Sequence, residues 1–350
     1  MKKVNFTIKY FTRLLLLAVF AVFSVSASYA SSNSEESFDP GSMILHHVAD
    51  AHEWHFATIG HTHVTLPLPV IVYSGDKGVE VFSSANFHND TRTFGDYKLD
   101  DHDHLVSLSG RSFSDLSITK NVASLFISVI LLFGVFLTVA GSYKKNPKGA
   151  PKGVQSFMEP IIVFIRDEVA KPNIGPKYEK FLPYLLTVFF FIWFNNLLGL
   201  MPGGANLTGN ISVTFVLAII TFIITNINGN KDYWAHIYNT PGVPWWLKFG
   251  IPLMPVVEFI GLFTKPISLM IRLFANITAG HIIILSLFSL IFIFQSYAIG
   301  FASSIFVVLM MFMELLVAII QAYVFTLLSS MYFGSAVAEH HHEEGHGDHH

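Results

Sequence analysis

The stretch that decides the fold runs from Phe181 to Asn230, FLPYLLTVFFFIWFNNLLGLMPGGANLTGNISVTFVLAIITFIITNINGN. It contains no Asp, Glu, Lys or Arg. A helix needs about 20 apolar residues to cross the hydrocarbon of a bilayer. Inside lipid, every backbone polar group must be bonded within the segment that carries it. The stretch therefore reads as two membrane helices, at 181–200 and 208–228, joined by the polar, glycine-rich MPGGANL.

Outward from there the pattern continues. Between Phe249 and Ala338 the only Asp, Glu, Lys or Arg residues are Glu258, Lys265, Arg272 and Glu314. Over the 350 residues, 52% are hydrophobic, 15% aromatic and 13% charged. That charged share is about half the usual ~25% of a globular protein and too small to cover a soluble surface of this size. The net charge of −3 carries no sign of nucleic-acid binding. Zero cysteines exclude a disulfide scaffold, a thiol nucleophile and a thiolate metal site. The expected class is an all-α, multi-pass membrane protein with helices at 121–142, 181–200, 208–228, 255–295 and 300–333. The last two exceed what a bilayer requires, so they are expected to be tilted or bent, as a long antiparallel pair.

The N-terminus is of another kind. Lys2, Lys3, Lys9 and Arg13 precede a short apolar run, Leu14–Phe23, and Ser28-Tyr29-Ala30 offers a small-x-small cleavage site. Residues 1–30 thus read as a Sec-type signal peptide; the alternative is an uncleaved anchor, for which the apolar run is short. The signal places residues 31–120 outside. Lys144, Lys145, Lys148, Lys152, Arg166, Lys171, Lys177 and Lys180 follow the first span, which places that loop in the cytoplasm. Five spans from an outside start put the C-terminus inside. The expected domains are a signal peptide (1–30), an extracytoplasmic extension (31–120), a transmembrane domain (121–333) and a disordered His-rich cytoplasmic tail (334–350).

The extension carries 13 acidic residues, 5 basic residues and nine histidines, with a short apolar run from Val64 to Val72 that suits a β-strand. His46, His47, His52, His55, His61 and His63 suit either metal binding or, more commonly, a solvated polar surface. GVQSFMEPIIVFIRDEVA, residues 153–170, is apolar on one side and charged on the other, fitting an interfacial helix bent at Pro160. Tyr233, Trp234, Trp245, Trp246 and Lys248 give residues 231–250 the aromatic content of a headgroup belt. The tail EHHHEEGHGDHH is low in complexity, and a solvated tail is the commoner reading than weak metal binding.

Ionisable groups inside a membrane are costly, at about 2.5–3.5 kcal/mol for Arg at mid-helix by insertion scales, and usually face protein or water. At 100° per residue, Glu258, Lys265, Ser268 and Asn276 all fall within about 40° of Arg272. Glu258 and Lys265 can neutralise each other, but Arg272 has no acid left on its own helix, so its anion is expected from another helix or subunit. On the last helix, Glu314 and Gln321 share a face. One antiparallel register levels Arg272 with Gln321 and His281 with Glu314. His281 lies about 13 Å from Arg272 along the axis and on the opposite side of the helix. Two protonatable regions offset along the membrane normal, with a permanent cation between them, suggest two half-channels and a barrier. Arg does not lose its proton in proteins, so a proton must be carried around it.

At these residues the sequence resembles subunit a of the F-type ATP synthase. PISLMIRLFANITAGH (Pro266–His281) resembles the family's arginine helix, and MELLVAIIQAYVFTLL (Met313–Leu328) its last helix. NNLLGLMP (Asn195–Pro202) with ANLTGNISVTFVLA resembles the preceding hairpin, and the likeness spans about 120–333. The resemblance implies a non-catalytic, proton-translocating stator subunit, with the ATP chemistry in other subunits and no cofactor or metal of its own. It implies that Arg272 interacts with the carboxylate of the rotating subunit c ring, flanked by Asn276 and Gln321. His281, Glu314 and Asn196 would line the outward half-channel, and Glu258 and Ser268 the inward one. Some relatives carry an acid where this chain has Gly199, which throws more weight on His281 and Glu314. The implied partners are the subunit c ring, the subunit b peripheral stalk, other ATP synthase subunits and the lipid of a bacterial inner membrane. The extension at 31–120 departs from shorter forms of the family. Neither H⁺ nor Na⁺ is selected by these residues.

Two rival readings come from other classes. A metal-ion transporter would use the His-rich segments, but it needs facing His or Asp ligands within the spans. His281 is the only His in the last four expected helices, and no expected span carries Asp. An intramembrane hydrolase would need an H-E-x-x-H motif or a serine with a His base at helical spacing within a span; the one H-E-x-x-H string, His342–His346, lies in the tail, and no expected span carries either.

Overall fold

In the computed structural model the described residues are 40–41, 44, 48–59, 62–88, 91–100, 103–145, 150–201, 203–238, 253–294 and 296–338. The signal peptide, His46, His47, His61, the loop holding Trp245, Trp246 and Lys248, and the tail from residue 339 onward lie outside them. The described chain is mostly helical, with a β-rich N-terminal region, as the composition implies. Four helical runs are long and apolar enough to cross a membrane, and a bent pair makes a fifth if counted as one span.

The chain divides into two compact units. One gathers the chain up to Ile127 with Leu197–Leu207 and Thr278–Leu316; the other holds Ser128–Asn196, Thr208–Ile277 and the chain from Val317.

In the first unit, eight short strands among the described residues precede the long helix that starts at Lys120. β1 (Glu53–Ile59) pairs antiparallel with β2 (Thr62–Pro67). β3 (Pro69–Ser74) lies between β4 (Gly78–Ser83) and β8 (Phe113–Asp115). β5 (Thr93–Phe94), β6 (Tyr97–Leu99) and β7 (Leu105–Ser107) form a third small sheet. The apolar run from Val64 to Val72 is split between β2 and β3 at Leu68, which turns inward. Val70 and Val72, two apart on β3, are fully buried and build the core with Phe87, Tyr97, Leu99 and Leu105. Gly95, at φ 62°, opens the two-residue turn between β5 and β6, a conformation that costs glycine no Cβ clash.

Polar links close this β region. His52 Nδ1 is 2.9 Å from the Asp103 carbonyl and Nε2 2.9 Å from an Asp115 carboxylate oxygen. Burial lowers the imidazole pKa, but the hydrogen bond and charge of Asp115 outweigh it and leave the pKa raised. Burial likewise pushes Asp115 up, while bonds from His52 and Ser117 outweigh it and hold the carboxyl at about 2. Asp103 also pairs with the Arg92 guanidinium. The β region then seats on the segment Leu197–Leu207. The Trp54 indole N–H donates to the Gly203 carbonyl at 2.6 Å, and Trp54, Leu68 and Ala205 form a buried cluster flanked by Ala123.

The helices follow. α1 is Lys120–Lys145, and its C-terminal Lys144 and Lys145 suit the negative end of the helix dipole. α2, Val154–Phe164, continues past Pro160 without ending; the ladder widens immediately afterwards into a π turn, Ile165–Ala170. After two further short turns comes α3, Tyr178–Gly199. From Val154 to Gly199 the chain is one helical run of 46 residues. α4, Ile211–Ile227, is capped by the Asn210 side chain accepting from the Ser212 N–H at 2.9 Å. α5, Lys231–Tyr238, leaves it at 103°.

α6, Leu253–Phe294, has 42 residues and α7, Tyr297–Val337, has 41. At 1.5 Å per residue each is about 60 Å long, twice a perpendicular crossing of about 30 Å. α7 outlasts the expected end at residue 333 because its last turn is packed. Phe333 is fully buried and stacks on Phe181 at 4.8 Å. A side chain on Gly334 would run into the Asn173 carbonyl, and the Ala336 carbonyl accepts from the Asn230 N–H at 2.9 Å.

Candidate functional site

The first unit builds one polar centre from three elements. α6 supplies His281, α7 supplies Glu314, and the C-terminal end of α3 supplies a backbone carbonyl, Gly199. His281 Nδ1 lies 2.5 Å from Glu314 Oε1, and Nε2 lies 3.2 Å from the Gly199 oxygen. A carbonyl oxygen only accepts, so Nε2 carries the hydrogen. The close approach of Nδ1 to Oε1 is a geometry in which an imidazole and a carboxyl can pass a proton between them. Gly280, the residue before His281, makes this approach possible: a Cβ there would sit 3.1 Å from Glu314 Oε1. Glu314 is 5% exposed, and its Oε2 is buried with no hydrogen-bond partner among the described residues.

The second unit holds the other residues singled out in the sequence. Asn276 on α6 donates through Nδ2 to Gln321 Oε1 on α7 at 3.0 Å. Gln321 therefore meets Asn276, one helical turn beyond the expected Arg272. The register set by His281 and Glu314 is kept within a turn, and the shorter, exposed Asn276 takes the amide partner. Asn196, buried on α3, donates to the Ala318 carbonyl at 3.2 Å and accepts from the Thr208 hydroxyl at 2.6 Å.

Glu258 and Lys265 do not pair with each other. Glu258 lies 3.9 Å from His236 Nδ1 on α5, and the Lys265 ammonium sits 5.6 Å from the centre of the Tyr332 ring. Ser268 is half-buried one turn before Arg272. Arg272 itself is exposed, as is Asn276 one turn later on the same side of α6. The two acids of α6 and α7 are engaged by His236 and His281, and among the described residues no carboxylate pairs with Arg272.

Sequence reasoning missed the Gly199 carbonyl, Gly280, Thr208, His236 and Tyr332. The small residue beside His281 was the available sign for Gly280. Backbone carbonyls carry no such mark, and His236 lies in a polar segment where histidine is unremarked. Among the described residues no group of three or more His, Cys, Asp or Glu comes together in a geometry for a metal ion.

Residues 122–334 match the family described as ATP synthase A chain, and residues 43–123 match a domain of unknown function. ATP synthase subunit a of Chlorobium phaeobacteroides is 41% identical over 327 residues, covering 91% of this chain and 80% of that protein. ATP synthase subunit a 2 of Chlorobaculum tepidum is 49% identical over 250 residues, 69% of each chain. ATP synthase subunit a of Chloroherpeton thalassium is 46% identical over 251 residues, 70% of this chain and 74% of that one.

Proposed function

The chain belongs to the ATP synthase A chain family, and from that premise we propose that it is the proton-translocating stator subunit of a rotary F-type ATP synthase. It works in a bacterial inner membrane, with the β-rich extension outside and the C-terminus in the cytoplasm. It catalyses no ATP chemistry itself. Its partners are the rotating subunit c ring, which runs against α6 and α7, and the subunit b stalk.

The observation that carries this reading is Arg272. It is a permanent cation, exposed on a helix long and apolar enough to cross a membrane, with no carboxylate partner among the described residues of its own chain. In lipid alone such a residue is costly. A carboxylate arriving on a neighbouring ring supplies the missing anion. Arg272 within a few ångströms of that group favours its ionised form. The ring carboxylate releases its proton inward past Glu258 and Ser268, passes Arg272, and takes a new proton from the His281–Glu314 pair. Once neutral it can turn into lipid, whereas the ionised form is held back by desolvation. Asn276 and Gln321, bonded to each other, hold the polar face beside the arginine. The membrane potential sets the direction, at about 2.3 kcal/mol per charge per 100 mV.

The test is Arg272→Ala in the assembled complex. ATP synthesis and ATP-driven proton pumping are expected to be lost while the subunit still assembles with the ring. Normal pumping by that variant would overturn the reading.

A further inference from the structure

The β region has no part in the translocation steps above, yet it is bound to the segment that finishes the outward proton site. We propose that it is a brace for His281, with Trp54 as a positioning residue; this rests on the reading of His281 and Glu314 as the outward proton site. The links are continuous. The Trp54 indole N–H holds the Gly203 carbonyl at 2.6 Å, and Trp54 and Leu68 pack on Ala205. Gly203, at φ 72°, and Gly204 shape a tight return of the chain, in which the Gly204 N–H bonds the Met201 carbonyl at 2.7 Å. Gly204 has no room for a side chain, because a Cβ would press on the Leu198, Met201 and Gly199 carbonyls. The Ala205 carbonyl lies 3.5 Å from where a Gly199 Cβ would stand. The segment is thus folded back on Gly199, whose carbonyl takes the His281 Nε2–H at 3.2 Å.

That carbonyl selects the imidazole tautomer and turns Nδ1 to Glu314, so the position of the segment sets how the imidazole meets the carboxyl. The titratable group facing His281 is Glu314, and Leu197–Leu207 carries none. Nearby groups of the β region are paired among themselves: Glu53 with His88 at 2.7 Å, and His52 with Asp115 at 2.9 Å. The coupling between the β region and His281 is therefore mechanical, through backbone carbonyls.

The experiment uses the purified holoenzyme in liposomes with the extension inside. The lumenal pH is varied while the outer pH and the potential are held constant. Trp54→Phe keeps an aromatic ring and removes the N–H. It is expected to shift the lumenal-pH midpoint of ATP synthesis by about 0.5 unit or more, leaving the outer-pH midpoint and the rate at saturating lumenal acid unchanged. If Trp54→Phe fails to assemble, Leu68→Val trims the same seat more gently and is expected to shift that midpoint in the same direction. An unmoved lumenal midpoint, whether the rate is normal or uniformly lowered, overturns the brace. So does failure of both variants to assemble, which would assign the seat to assembly. Arg272→Ala in the same liposomes separates the two readings: if it stays active the stator assignment falls, and if it is silent only the brace is at stake.

Discussion

The His281–Glu314 pair and the Arg272 face sit on the same two sequence motifs and treat charge in opposite ways. The pair is enclosed: the imidazole bonds a carboxylate oxygen and a carbonyl of this chain, and Glu314 is 5% exposed. The Arg272 face is open, and its cation finds no carboxylate among the described residues. A closed group can exchange a proton and keep its shape. An open cation can pair with an anion from outside the chain. On the proposed reading, substitutions at the pair should change how a proton is delivered, whereas substitutions at the face should change whether a ring turns at all.

The largest effect inside the pair is expected from Glu314→Gln. The amide keeps the volume and cannot take or give a proton, so ATP synthesis should fall about a hundredfold, the lower end of what a positioned acid–base group contributes. The measurement is synthesis against outward-side pH, and the profile should flatten. A full rate with an unchanged profile would move the outward site elsewhere. Gly280→Ala is milder. A Cβ 3.1 Å from Oε1 forces the carboxylate back by a few tenths of an ångström, and misplacement on that scale is expected to lower the rate about tenfold. Smaller still is Gln321→Ala, which removes the bond to Asn276. A net hydrogen bond of about 1 kcal/mol corresponds to a rate loss of about fivefold. The outward pH profile should stay in place, because that bond belongs to the arginine's side of the comparison.

Much of this contrast was legible in the residues alone, for a physical reason. Ionisable groups are so rare between Phe249 and Ala338 that one antiparallel register sufficed to bring His281 to Glu314, and the structure puts them 2.5 Å apart. The same register was a turn off for Gln321, because helix periodicity fixes faces more tightly than it fixes how far each side chain reaches. Spacing along α6 allowed Glu258 and Lys265 to neutralise each other. Their partners, His236 and Tyr332, come from other elements, which spacing along one helix cannot show. The seat of Trp54 on Gly203 was not legible at all. An indole on a short strand and a glycine about 150 residues later are joined by tertiary packing without any periodic trace.

The smallest expected effect lies in the β region and bears on whether its stability follows the outer pH. His52, with its raised pKa, contributes stability that is fully present below its ordinary value of 6.5 and is lost as pH rises through the raised value. Asp115, held at about 2, contributes stability that is present above its ordinary 3.8 and is lost as pH falls toward 2. Together they make the β region most resistant to opening between about pH 4 and 6.5. Hydrogen exchange of residues 48–120 in the intact complex, corrected for the intrinsic pH dependence of exchange, should show greatest protection in that interval. His52→Gln keeps a donor toward Asp103 but cannot charge, so it should flatten the curve on its alkaline side. If protection in the unmodified chain proves level from pH 5 to 8, the His52–Asp115 link does not sense pH, and the brace on His281 works equally at every outer acidity.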